Sequence, residues 1–285
     1  MQTNIQTIPE LNLFDIDILT HCHVCVEEDW NYPNVVSSFS RLFYVREGAA
    51  SILCNGRKIL LLPGNVYLVP AGTCASYHCE KGGHLDKLFF HISLLSTDNH
   101  DLLSDLPHTI YELSFAQAGC EQIFRLYQAP SYQTLLALRI ILYQTLLEFY
   151  THFSLPTPEM KTYSAVTQSV VRYIQNHFSI ALTIDCIAEA NFVSKGYLCK
   201  LFKKEIGISI GKYIDEQALF RAKRMLLTEK QRTIQQISAA LGFHDQAYFS
   251  RRFKEKTGLS PAQYRKEQMR SLPDFSRGKT DSVSL

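Results

Sequence analysis

The chain has 285 residues, enough for about two domains. Its hydrophobic fraction of 46% is ordinary for a globular protein, and no run of about 18 apolar residues is present to span a bilayer as a helix. The net charge of +2 hides an asymmetry: 8 Lys/Arg stand against 16 Asp/Glu up to Met160, and 21 against 11 from Lys161 onward. An acidic N-terminal half beside a basic C-terminal half points to a polyanion met by the C-terminal half alone.

The opening MQTNIQTIPELNLFDIDILT carries Glu10, Asp15 and Asp17 and lacks a basic start and an apolar core. It reads as neither a signal nor a transit peptide, so a cytoplasmic protein with no membrane partner is expected. Six of the eight cysteines lie in the first half, and in a reducing compartment they are small buried hydrophobes. HCHVC places His21, His23 and Cys25 on one face of a strand. Three soft ligands on one face are a metal or redox-sensor candidate. The alternative is a half-buried barrel strand, and the cluster lacks the paired spacings of zinc motifs.

Six short segments follow: Leu42–Arg46, Ala50–Cys54, Lys58–Leu62, Asn65–Val69, Ala75–Cys79 and Asp86–Ile92. All are rich in β-branched, aromatic or aliphatic residues. Between them stand Asn55-Gly56, Pro63-Gly64, Pro70-Ala71-Gly72 and Gly82-Gly83, the chemistry of tight turns. Regular short strands predict a small antiparallel sandwich or barrel over about residues 20–95. From about residue 114 the period changes. Leu135, Leu138, Leu142, Leu146, Phe149 and Phe153 recur at helical spacing, and the other face still carries Leu136, Ile140 and Leu147. A helix apolar on both sides packs on the barrel and against a partner chain, or is buried within one chain. SLPTPEMKTY, residues 154–163, reads as a linker. The chain beyond it is helical to 266, and residues 267–285 lack apolar periodicity and read as a disordered tail.

The basic half repeats itself. Ser194–Tyr213 aligns with Asp245–Tyr264 at an offset of 51, and Thr183, Ile184 and Ile187 align with Thr233, Ile234 and Ile237 at an offset of 50. Each copy is a short helix, a turn and a second helix, with one more turn residue in the second copy. Thr183, Thr233, Ser194 and Asp245 are placed to cap the four helix N-termini. Phe249 and Phe253 anchor the last of these helices, leaving Gln246, Ala247, Ser250, Arg251 and Lys254 outward. In the first copy Leu198, Leu201 and Phe202 anchor, and Lys195, Gly196, Cys199, Lys200 and Lys203 face out. This is the layout of a tandem helix-turn-helix protein whose second helices enter the major groove. Arg251 suits guanine, Gln246 adenine and Lys254 phosphate. Residues 210–227 read as a linker helix between the two copies.

The segment Ile234–Arg265, I-x-x-I-S-x-x-L-G-F-x-D-Q-A-Y-F-S-R-x-F-K-x-x-x-G-L-S-P-x-x-Y-R, resembles the signature of the AraC/XylS family of bacterial transcription regulators, and Ser194–Gly207 matches it more loosely. Ala218 stands where the family usually has arginine, and Ser238 where it usually has alanine. Arg41–Gly48, Asn55-Gly56, Pro63–Gly72 and Phe89–Ile92 resemble the family's cupin-like effector barrel. The resemblance implies a small-molecule effector, a homodimer formed through the helices after the barrel, promoter DNA as partner, contact with RNA polymerase, and activation. Trp30, Arg41, Tyr44 and His91 are the candidate effector-pocket residues by their place in the barrel. Catalytic cupins need a His-x-His and Glu cluster with a later His. No such pair precedes Glu47, and AGTCASY after Pro70 lacks the later ligand, so neither an enzyme nor a cofactor is expected.

The expected architecture is therefore a two-domain chain. Residues 1–153 form an all-β cupin-like barrel with following helices at about 114–153. Residues 154–163 are a linker, and residues 164–266 form an all-α tandem helix-turn-helix domain joined by a linker helix. Two alternatives stay open: a constitutive or protein-controlled regulator without a small ligand, and a metal- or redox-responsive regulator acting through His21–Cys25.

Overall fold

The computed structural model describes residues 14–96, 100–115, 117–156 and 163–270. Contacts divide the chain into an N-terminal unit, built on Ile16–Leu94 and Asp101–Pro158, and a C-terminal unit built on Glu159–Glu267.

In the N-terminal unit the strands β1 (Phe14–Val26), β2 (Asn31–Val35), β3 (Ser40–Gly48), β4 (Ala50–Cys54), β5 (Arg57–Leu61), β6 (Asn65–Val69), β7 (Ala75–His78), β8 (Leu85–Ser96) and β9 (Tyr111–Ser114) form two sheets. One has the order β1-β8-β3-β6-β9, the other β2-β7-β4-β5. The pairs β2–β7, β3–β6, β3–β8, β4–β5, β4–β7 and β6–β9 are antiparallel. Asn55 and Gly56 both have positive φ, 50° and 74°, and join β4 to β5 with Cys54 opposite Arg57, the hairpin that Asn-Gly encodes.

Alternation along β3 and β8 builds two separate cores. Phe43 lies opposite Phe89 and Val45 opposite Lys87; these residues point between the sheets, with Trp30, Ile52, Tyr67 and Tyr77. Leu42 lies opposite Phe90 and Tyr44 opposite Leu88; these point the other way and pack with α1 (Gln117–Gln128) and α2 (Tyr132–His152). A short 3-10 helix at Leu102–Asp105 leads to β9. On α2 the residues Leu138, Leu142, Thr145, Leu146 and Phe149 are buried, the single stripe that 3.6-residue periodicity allows.

Three boundaries differ from the sequence reading. The sheet starts at Phe14 and not near 20, because FDIDIL already alternates. It also runs beyond 95, because β9 pairs with β6 from Asn65↔Ser114 to Leu68↔Tyr111. Four residues with two inward side chains are too few to show a period. At the other end, residues 267–270 complete helix α9 (Pro261–Arg270) and are not tail; residues 271–285, like 157–162 of the linker, lie outside the described residues.

The C-terminal unit is helical throughout its described residues: α3 (Ala165–Asn176), α4 (Ile184–Ala190), α5 (Lys195–Ile206), α6 (Ile210–Thr228), α7 (Ile234–Ala240), α8 (Gln246–Thr257) and α9. Val170, Ile174, Ile187, Leu198, Phe202, Tyr213 and Ile214 form the core of its first half. In the second half Phe253 packs at a tilt against Phe249 and meets Tyr264 edge-on, at centroid separations of 5.9 and 5.3 Å.

Candidate functional site

The four caps expected from sequence are formed. Thr183 and Thr233 accept from the N–H groups of Cys186 and Gln236, and Ser194 accepts from that of Tyr197. Asp245 accepts from both Ala247 and Tyr248, at 3.0 and 2.9 Å. These two N–H donors hold its carboxyl below the usual range. Each cap satisfies donors that the first helical turn leaves unpaired.

The two turns close with the same bonds. Val193 N–H donates to Ala188 O and Phe192 N–H to Glu189 O, both at 3.1 Å; Phe243 N–H donates to Ser238 O at 3.1 Å and Gly242 N–H to Ala239 O at 2.9 Å. This double closure is a Schellman motif, and it requires a left-handed residue just past the helix. The second copy puts Gly242 there with φ 82°, whereas the first puts Phe192 there with φ 55°. Phe192 is also 96% exposed.

Helices α5 and α8 then present matched faces. Leu198 and Phe202 are buried in α5, and Phe249 and Phe253 in α8; Leu201, expected as an anchor, is half-buried. Lys195, Gly196, Lys200 and Lys203 are exposed, as are Gln246, Ala247, Arg251 and Lys254 at equivalent positions, while Cys199 and Ser250 are both half-buried. Tyr197 and Tyr248 add an exposed ring to each first turn. The internal alignment pairs these two tyrosines. Lys195 donates to Asp185 at 2.8 Å across exposed surface, a pair of small energetic weight. Arg251 lies over the Tyr248 ring at 5.6 Å. Arg252 is used differently: its Nη2 donates to Asp215 Oδ2 of α6 at 2.6 Å, locking α8 to the connecting helix.

Between the sheets of the N-terminal unit, three of the four pocket candidates meet. Arg41 lies opposite His91, and its Nη1 donates to the Tyr77 hydroxyl at 3.0 Å. Trp30 sits 5.3 Å from the Tyr77 ring. Tyr44 does not join them. It alternates to the other face, where its hydroxyl donates to Thr145 Oγ1 at 2.7 Å and burial pushes its pKa up beyond the ordinary phenol range. Lys87, which sequence reading passed over as one more strand residue, does join. Its ammonium lies 3.4 Å from the Trp30 ring centroid and 4.6 Å from that of Phe43. Parity was the missed signal, because Lys87, Phe89 and His91 share a face.

The His21–Cys25 segment does not converge on a metal. His21 Nδ1 bonds the Tyr127 hydroxyl at 2.9 Å, and burial lowers its pKa. His23 Nε2 bonds Asp86 Oδ1 at 2.7 Å. Cys25 is exposed, and among the described residues no group of three or more His, Cys, Asp or Glu is placed to hold a metal ion.

Comparison with known proteins agrees with the helical unit. A helix-turn-helix domain family matches residues 187–267. The Msm operon regulatory protein of Streptococcus mutans is 25% identical over 282 residues, covering 93% of this chain and 97% of its own. The arabinose operon regulatory protein of Escherichia coli is 35% identical over 95 residues, which is 33% of this chain and 32% of that one. The C-terminal domain of AraT, a response regulator from Geobacillus stearothermophilus, is 36% identical, covering 36% of this chain and 85% of that one at a TM-score of 0.35. The helical unit belongs to the AraC-type helix-turn-helix domains.

With such a domain the chain is a DNA-binding transcription regulator. Among the described residues no helix is long and apolar enough to cross a membrane. Both departures from the family pattern lie in packed positions. Ala218 is buried in α6 beside a gap of about 30 Å³ that Arg252 and Phe253 also line. Ser238 is buried, and its hydroxyl has no hydrogen-bond partner.

Proposed function

We propose that this chain is a sequence-specific regulator that reads promoter DNA with α5 and α8 and is controlled by a small molecule held between its N-terminal sheets. The observation that carries the DNA part is the one-to-one equivalence of Lys195, Gly196, Cys199, Lys200 and Lys203 with Gln246, Ala247, Ser250, Arg251 and Lys254, on two capped and anchored helices. The helix α6 between them has 19 residues, about 28 Å at 1.5 Å per residue. That length suits two reading helices in successive major grooves, which repeat at about 34 Å. Arg251 and Gln246 have the donor and acceptor sets for guanine and adenine, whereas Gly196 and Cys199 have little base-edge chemistry. The second copy therefore supplies most of the discrimination, and the lysines of the first supply phosphate contacts.

The assembly proposed is a homodimer through α2. Leu136, Ile140 and Leu147 are 56, 49 and 66% exposed on the side of α2 away from its buried stripe, and a partner helix would remove that apolar surface from water. By family resemblance the regulator is an activator that engages RNA polymerase. Sedimentation of Ile140→Glu is the check on the dimer: a monomer is expected, and an unchanged mass rejects α2 as the interface.

The test of the DNA reading is binding of the full chain to its own upstream region across a salt series. Affinity should fall steeply with salt, because lysines and arginines release counterions from phosphates. Affinity for that region indistinguishable from that for random DNA at every salt concentration would reject sequence-specific reading.

A further inference from the structure

Among the described residues, three basic side chains lie in the interior between the two sheets with no acid paired to them. Arg41, Lys87 and His91 are 3, 1 and 2% exposed. The described ion pairs of the N-terminal unit are His23–Asp86, Arg46–Asp86, Lys58–Glu80 and His84–Glu47, and none of them includes these three residues. Arg41 bonds one neutral phenol through Nη1, while its Nη2 and the Nδ1 of His91 are buried with no hydrogen-bond partner. The acid next in sequence, Asp86, alternates to the opposite face, where His23 Nε2 and Arg46 Nε each reach it at 2.7 Å. Burial, with Arg41 beside it, pushes the Lys87 ammonium well below its usual range. The guanidinium has no such escape, because arginine stays protonated in proteins.

Burying an unpaired charge is among the costliest things a fold can do. A core built for stability alone would hold Met or Leu at positions 41 and 87. The surroundings are also those of a binding site. Trp30, Phe39, Phe43 and Phe89 form aromatic walls around the cations, and apolar walls with a few convergent polar groups are how proteins hold small organic ligands.

We propose that Arg41, Lys87 and His91 form a receptor for a small organic acid, whose carboxylate meets the cations while its apolar body lies against the aromatic walls. Arg41 Nη2 is an unused charged donor, and a carboxylate accepts from it with a charge-assisted bond; His91 Nδ1 is a second unpaired position, a donor in the tautomer that carries its proton there. This inference rests on the effector reading of the N-terminal unit and names the class of effector. A rival location exists in the same unit: an apolar cavity of about 270 Å³ between β1, β8, α1 and α2, lined by Phe90, Leu138 and Leu142 with Arg139 as its one cation.

The chain has a single tryptophan, and it is Trp30, in contact with Lys87. Its emission therefore reports on this site and not on the rival cavity. Full-length protein is titrated with benzoate, phenylacetate and octanoate, and in parallel with benzamide, phenylacetamide and neutral monosaccharides, following Trp30 emission and the thermal midpoint. At least one acid is expected to change the emission and raise the midpoint, while its amide does neither. Lys87→Met is expected to raise the midpoint of the free protein and to weaken acid binding about tenfold or more, the loss of one charge-assisted contact. Arg41→Gln should weaken acid binding likewise. Opposite signs on stability and binding are what a merely structural lysine would not give. A neutral compound that changes the emission where acids do not would leave the effector reading standing and overturn the anion. An acid that raises the midpoint without touching the emission, and loses its effect in Arg139→Gln, would overturn the site. Silence of Trp30 to every compound would count against both readings.

Discussion

Two copies of one helix-turn-helix differ most at the residue just past their first helix. Both turns need left-handed backbone there, and both close with the same pair of hydrogen bonds. The second copy meets the need with Gly242 and the first with Phe192. Glycine takes this conformation freely, whereas a Cβ is crowded in it. The copies diverge again on the reading face, where Lys195, Gly196 and Cys199 stand opposite Gln246, Ala247 and Ser250. The second copy is the better-made turn, and its outward face carries the richer set of donors and acceptors. The first is strained and carries mainly positive charge. A duplicated fold thus keeps its caps, anchors and turn geometry while its two outward faces diverge in chemistry.

Exchanging residues between the copies breaks or sharpens that comparison. The largest effect should come from Gly242→Phe, which imitates the first copy in the second. A Cβ at 242 would overlap the Ser179 hydroxyl and lie 3.2 Å from Ser179 Cβ, so steric overlap adds to strain and the loss should be about 2–3 kcal/mol. Urea unfolding followed by helical circular dichroism measures it; a loss no larger than that of an ordinary surface change would show that the second turn has room to spare. The reverse change, Phe192→Gly, should stabilise by about 1 kcal/mol, since it relieves the backbone and removes a side chain that packs on nothing. A destabilised Phe192→Gly would reveal a role for the ring within the fold. Ser238→Ala, which gives the second copy the residue that the first has at Ala188, should stabilise by about 0.5–1 kcal/mol by removing a buried hydroxyl without a partner. A loss of stability there would mean that a water or a shifted neighbour satisfies the hydroxyl.

The smallest difference is in acid. The folded-state pKa of Asp245 is lowered by the N–H groups of Ala247 and Tyr248, so its cap contributes fully above the ordinary carboxylate range. That contribution is lost as pH falls through the lowered value. Ser194 does not titrate. Hydrogen exchange at the start of α8 should therefore speed up in acid relative to the start of α5, after correction for intrinsic rates; equal protection at both starts across the range would contradict the capping account.

Legibility followed the size of the repeating signal. The tandem repeat could be read because caps, anchors and glycines recur together over some eighty residues, and six of the nine strands among the described residues because turn residues bracket each one. β9 was hidden by its length, and α9 ran past its expected end because a polar helix shows no period. Between the two sheets, three of the residues picked by sequence position, Trp30, Arg41 and His91, lie near one another. The same reading misplaced Tyr44 and missed Lys87 for one reason: both errors are failures to follow alternation along β3 and β8, where a shift of one residue moves a side chain to the opposite face. The strain at Phe192 was beyond sequence reasoning on that copy alone, since only the alignment with Gly242 tells which residue must turn left-handed.

The most direct test of the division between the two readers is to compare Arg251→Ala with Lys200→Ala, its equivalent in the first copy, on a set of operator variants changed one base pair at a time and on random DNA. Arg251→Ala should cost about 1–3 kcal/mol on the operator, leave random DNA little affected and flatten the preference at one base pair. Lys200→Ala should weaken all the sequences alike and shallow the salt dependence by about one unit. Equal weakening of operator and random DNA by Arg251→Ala would show that Arg251 touches only phosphate, and the separation of roles between the two copies would fall.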